Sequence, residues 1–148
     1  MSQPLPTPTS FLPYWFPWLW AGVAFVGLLD SIYLTANHII QGKTPCSLLE
    51  GCEIVTSSVY STFLGVPVAL FGAIFYGLVL ILVLYGLDSG KATPFVLAAY
   101  LAMPAFIISL GFLAIQAFIL EAFCLYCLVS ILSSTTLFVL GLAYLMFR

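Results

Sequence analysis

Four long apolar runs, separated by short polar breaks, organise this chain. A helix that crosses hydrocarbon needs about 20 such residues. The first run covers 15–40 and is interrupted only by Asp30, Asn37 and His38. Trp15, Trp18 and Trp20 stand at its start, where an interfacial aromatic belt belongs. A helix over the whole run would reach about 39 Å at the helical rise, so its far end is expected to project beyond the hydrocarbon. Residues 41–64 form the one long polar stretch, punctuated in its first half by Gly42, Pro45 and Gly51. Its second half mixes apolar and hydroxyl residues and predicts a short interfacial helix. Gly65, Val66 and Pro67 open the second run, with Pro67 suited to a first helical turn, and the run closes at Gly86. Asp88, Ser89, Gly90 and Lys91 make a tight polar turn, and Pro94 starts the third run. The block 94–148 is too long for one crossing. Its strongly polar interior residues are Gln116 and Glu121, which places a turn there and a fourth span over 122–146. The pattern predicts an all-α membrane protein: a four-transmembrane-helix bundle with a long outer loop between helices 1 and 2.

Composition strengthens that reading. Hydrophobic residues make up 64 % of the 148 and charged residues 5 %, against about 25 % charged in soluble domains. A water-facing surface cannot be built from this supply. Three Lys and Arg residues and a net charge of −2 also exclude nucleic-acid binding, which needs basic clusters on the phosphates. The start, Met1-Ser2-Gln3-Pro4, has no basic region, and the apolar run after it is longer than a signal core, so the first span is expected to be retained. Residues 1–14 carry Pro4, Pro6, Pro8 and Pro13 and are expected to be a disordered leader to a 15–148 transmembrane domain. Lys91 and Arg148 against Lys43 vote for cytoplasmic termini, with the 41–64 segment on the outer face.

The cysteines carry the candidate chemistry. Cys46 and Cys52 lie in the polar segment, and Cys124 and Cys127 form a C-x-x-C at the head of the fourth span. Neither the spans nor the orientation used the cysteines, yet both pairs fall near the same membrane face. Thiol–disulfide exchange requires a thiolate to reach a disulfide sulfur, so the pairs must be able to touch. A C-x-x-C places its residues one helical turn apart, and a helix N-terminus favours the thiolate. An outer face in bacteria is oxidising. The residues alone leave four readings open: small buried hydrophobes, two bracing disulfides, a metal site built from all four cysteines, or a redox relay. The proximity of two pairs favours the relay, and a metal site would need half its ligands inside a membrane helix.

With these residues in view, the chain resembles the vitamin K epoxide reductase family, in its bacterial type without a fused thioredoxin-like domain. The resemblance runs over nearly the whole chain after residue 20. It rests on Ser31-Ile32-Tyr33-Leu34-Thr35, on Cys52-Glu53-Ile54-Val55-Thr56-Ser57-Ser58, on Gly65-Val66-Pro67 with Phe71-Gly72-Ala73-Ile74-Phe75-Tyr76, and on Phe123-Cys124-Leu125-Tyr126-Cys127. Another four-helix disulfide-generating membrane family places its C-x-x-C before the loop pair; here the order is reversed.

The resemblance implies a membrane thiol oxidoreductase. Cys46 would form the mixed disulfide with a thioredoxin-fold partner, Cys52 would carry the exchange inward to Cys124, and Cys127 would face a quinone of the menaquinone, ubiquinone or vitamin K type. Ser58 would orient Cys127 or donate to a quinone carbonyl, and Tyr60, Phe71 and Phe75 would line the quinone pocket. No metal is implied. Animal members carry an Asn where Val68 stands and a Tyr where Ile131 stands, so a membrane quinone is favoured over vitamin K epoxide. Many bacterial members carry a fused partner domain; with the chain ending at Arg148, a separate partner protein is expected. The alternatives are a vitamin K epoxide reductase proper and a non-enzymatic scaffold braced by disulfides. Asp30, in an apolar span, is read as a hydrogen-bonded or protonated residue rather than a proton carrier, and His38 as an interfacial residue.

Overall fold

In a computed structural model, residues 12–40 and 51–147 are described. Residues 1–11 of the expected leader, and Cys46 with its loop up to residue 50, lie outside the described residues. Among the described residues, four helices are long and apolar enough to cross a membrane. They are α1 (Phe16–Ile40), α3 (Val68–Ser89), α4 (Thr93–Ala114) and α5 (Leu125–Phe147), and between α1 and α3 lies the short α2 (Cys52–Ser57). α1 packs mainly on α3 and α4 mainly on α5, with α1–α5 and α3–α4 contacts closing the ring. The chain is an integral membrane protein with an all-α bundle.

Small residues permit the close helix approaches. A Cβ at Gly27 would overlap the Tyr76 ring, and one at Gly86 would overlap the Phe95 ring. A Cβ at Gly141 would stand 2.9 Å from the Cα of Ala99. Without a hydrophobic force between helices in lipid, such packing and interhelical hydrogen bonds hold the bundle. Tyr76 donates its hydroxyl to the Ser130 carbonyl at 2.6 Å, and Ser109 and Ser134 share a hydroxyl bond at 2.6 Å. These bonds join α3 to α5 and α4 to α5. Large apolar side chains such as Phe25, Ile81 and Ile107 point outward, as a lipid-facing surface requires.

The two ends of the bundle are distinct. At one end Trp20 contacts Phe95 and Tyr144, so the start of α1, the start of α4 and the end of α5 meet there with the Lys91 turn. The opposite end gathers α2, the start of α3, the end of α4 and the start of α5.

Several expected boundaries are corrected. The second span runs on to Ser89, three residues past Gly86, because Gly86 is buried as the seat of the Phe95 ring and the stop comes at Gly90, left-handed at φ 65°. Pro67 lies one residue before α3 rather than within its first turn. It belongs to a small hairpin in which β1 (Thr62–Phe63) pairs with β2 (Val66–Pro67) around Leu64 and Gly65, both at positive φ. Residues 116–119 are helical rather than a turn: α4 continues into a π-helical turn, Ile115–Ile119, and the chain reverses at 120–123. The fourth span starts at Leu125, three residues later than expected. A short helix is present in this segment as expected, α2, followed by a 3-10 turn, Val59–Ser61.

Candidate functional site

Cys124 sits just outside α5 and caps it. Its carbonyl accepts the Leu128 N–H at 2.9 Å, the first bond of the helix, and its Sγ accepts the Cys127 N–H at 3.4 Å. This is the pattern a Ser or Asp makes at an N-cap, with sulfur as the acceptor. A C-x-x-C straddling a helix start thereby aims its second N–H at its first sulfur. Both residues stand as free thiols, Cys124 buried and Cys127 half-buried. The Cys127 thiol, together with the N–H groups of Cys127 and Tyr126, pulls the Cys124 thiol down to about 7 against the opposing effect of burial. Cys124 is therefore the nucleophile-like member of the pair.

Cys124 is held from outside α5 as well. The π-helical turn rotates Gln116 inward, where it is 2 % exposed, and its Oε1 accepts the Cys124 N–H at 3.0 Å. The Gln116 carbonyl accepts the Ala122 N–H at 3.1 Å, tightening the reversal that also forces Glu121 to φ 49°. Sequence reasoning used Gln116 only as the mark of a turn. The signal that it does more, an amide inside an apolar block, was visible but did not say which group it would hold.

The loop segment reaches the pair through Gly51. A Cβ there would stand 2.6 Å from the Phe123 nitrogen, so only glycine allows this backbone contact. Gly51 precedes Cys52 and Phe123 precedes Cys124, so the chain neighbours of the two cysteines touch.

Cys127 lines a cavity of about 240 Å3 between α1, α3, α4, α5 and the α2–hairpin segment. Ser58, Tyr60, Phe71 and Phe75, the four residues expected around a quinone, line the same cavity. Val68 and Ile131 line it too and add apolar surface. The hydroxyl of Ser58 donates to the Val55 carbonyl at 2.7 Å. His38 and Gln116 also line the cavity and were not foreseen there. Asp30 is outside it; its Oδ2 is buried with no hydrogen-bond partner, and its carboxyl is within electrostatic reach of Cys124 and Cys127. Among the described residues no cluster of His, Cys, Asp and Glu is arranged to hold a metal.

Compared with the curated proteins, the chain matches none of them. A family profile does match, that of the vitamin K epoxide reductase family, over residues 18–142. That stretch takes in α3, α4, the α2 segment, the Cys124–Cys127 pair and most of α1 and α5, and family members are oxidoreductases acting on thiols or quinones. The chain belongs to the vitamin K epoxide reductase family.

Proposed function

We propose that this membrane oxidoreductase reoxidises a separate thioredoxin-fold partner and delivers the electrons to a membrane quinone, so that disulfides form in exported proteins. The observation that carries this reading is the division of labour within the C-x-x-C. Cys127 lines an apolar cavity, while the backbone just before Cys124 touches the backbone just before Cys52. One cysteine of the pair lines the cavity, and the other directly follows the residue that meets the incoming loop.

The cycle begins with a partner thiolate attacking Cys46 of a Cys46–Cys52 disulfide. The mixed disulfide resolves as the second partner thiol displaces Cys46, and the loop pair is left as a dithiol. The Cys52 thiolate then attacks Cys124 of the Cys124–Cys127 disulfide, and Cys127 leaves as a thiolate. Cys46 displaces Cys124 from Cys52, which restores the loop disulfide and leaves Cys124 and Cys127 reduced. Two electrons and two protons pass from this dithiol to a quinone in the cavity, giving the quinol and the Cys124–Cys127 disulfide. The lowered Cys124 thiol suits it to leave from Cys52 and to re-form the bond to Cys127.

The cavity is smaller than the pockets of about 300–1,000 Å3 that enclose whole drug-sized ligands. It suits a quinone ring with its isoprenoid tail in lipid. Phe71 and Phe75 supply apolar walls. With Val68 and Ile131 in place of polar groups, a quinone is favoured over vitamin K epoxide. The topology consistent with this cycle puts both termini in the cytoplasm and the cavity end at the outer face of the bacterial inner membrane.

The test is quinol formation by the purified protein supplied with a reduced thioredoxin-fold dithiol. Cys127→Ser is expected to abolish it. Cys46→Ala should block turnover with the protein dithiol and spare part of the turnover with dithiothreitol. Full activity in a protein with all four cysteines changed to Ala would sink the proposal.

A further inference from the structure

The structure assigns Gln116 as the positioning residue that sets the redox poise of the Cys124–Cys127 pair. Three observations converge on it. Its side chain is among the largest that are fully buried, and its amide oxygen is committed to the Cys124 N–H at 3.0 Å. It lies on the π-helical turn Ile115–Ile119, a local widening of the helix that carries an energetic cost and recurs at functional sites. The same turn folds back through Glu121 at positive φ, a strained conformation for a non-glycine residue. Continuing α4 as an ordinary α-helix would carry residue 116 round to another face.

The consequence follows from what the Cys124 N–H does next. Its engagement by Gln116 holds Cys124 as the cap of α5, the conformation in which Sγ receives the Cys127 N–H. Those donors stabilise the Cys124 thiolate, and hence the reduced pair, over the disulfide. A stabilised dithiol makes the couple more oxidising. The Gln116 oxygen thus acts on the sulfur through one backbone amide without touching it. Removing that oxygen frees the cap and lets the disulfide gain on the dithiol.

This inference rests on the redox reading above, and the measurement separates the two. A protein with Cys46→Ala and Cys52→Ala isolates the C-x-x-C, whose oxidised fraction is read by maleimide gel shift across dithiothreitol redox buffers. If this background pair shows no reversible titration, the redox reading itself fails. If it titrates, Gln116→Met, similar in length but with no hydrogen-bonding oxygen, is expected to move the equilibrium constant about tenfold toward the disulfide, about 30 mV more reducing. The absorbance titration of the thiolate should move to higher pH in the same variant. A purely structural Gln116 would lower thermal stability with neither readout changed, which overturns the assignment. Should Gln116→Met not fold, two other variants decide. Gln116→Glu keeps an acceptor oxygen at the same reach and, assayed at a pH where its buried carboxyl is protonated so that no like charge faces the thiolate, should stay within about twofold of the parent. Gln116→Asn, one methylene short, should show the tenfold shift. Equal constants for the two also overturn it.

Discussion

At Cys124 a single sulfur atom serves three roles: helix cap, acceptor of the Cys127 thiol and N–H, and candidate electron relay. Its lowered thiol leads to a pH prediction. With the loop cysteines replaced and the protein reduced, thiolate absorbance near 240 nm is expected to rise with an inflection at about 7. Because the chief cause is the Cys127 thiol, Cys127→Ala should carry that inflection upward, toward the ordinary thiol range near 8.5. The sign follows directly: the donor stabilises the charged form, so its loss leaves less thiolate at any given pH. An unchanged inflection in Cys127→Ala would show that the helix terminus alone governs the thiol. A second residue-scale expectation concerns Gly51. Gly51→Ala places a methyl inside the Phe123 backbone, so α2 must withdraw from the C-x-x-C. Transfer from the loop pair to Cys124 is expected to slow by tenfold or more. Trapping experiments should then show the loop pair reduced while the C-x-x-C remains oxidised.

Among the elements, two kinds of joint hold the bundle, and they differ in what they withstand. The α4–α5 joint is a close approach of Gly141 to Ala99. Gly141→Ala forces the helices apart and is expected to cost about 1–3 kcal/mol, the range for overpacked cores, read as a shift of the unfolding midpoint in mixed micelles. The α3–α5 joint includes the Tyr76 hydroxyl bond to Ser130. Interhelical hydrogen bonds in membranes average about 0.6 kcal/mol, so Tyr76→Phe should destabilise much less than Gly141→Ala. A reversal of that order would mean that polar ties, not close packing, dominate this bundle. The elements also mark where sequence reading was limited. Span boundaries came within three residues at α3 and α5 because hydrophobicity reports lipid exposure, not the last hydrogen bond of a helix. The stop of α3 is set by Gly90, and the run past Gly86 is held by a ring from α4, a contact between segments far from any hydropathy window. The π-helical turn was illegible for a related reason: Gln116 and Glu121 are polar whether they form a turn or aim an amide inward.

For the whole molecule, the arrangement of ends leads to a topology prediction. In a cysteine-free background, Asp88→Cys and Ser57→Cys lie at opposite ends of the bundle. A membrane-impermeant maleimide added to intact cells should label Ser57→Cys and leave Asp88→Cys unlabelled until the cells are opened. The opposite pattern would overturn the orientation read from Lys91 and Arg148. At this scale the sequence determined a good deal. It established a membrane protein, because 5 % charged residues cannot solvate a surface, and four crossings, because apolar length is set by bilayer thickness. The cysteine pairs and the family motifs were also plain in it, since each is a local string. Ser58, Tyr60, Phe71 and Phe75 could be named from resemblance, but their shared cavity with Cys127 could not be seen, because they come from segments about 50 to 70 positions away along the chain. Tertiary structure alone decided that one cavity gathers Cys127 with these residues, that Gly51 abuts Phe123, and that Gln116 grips the cap of α5. Each of these depends on two distant segments meeting at one end of the bundle, and no periodicity along a single segment encodes where another will lie.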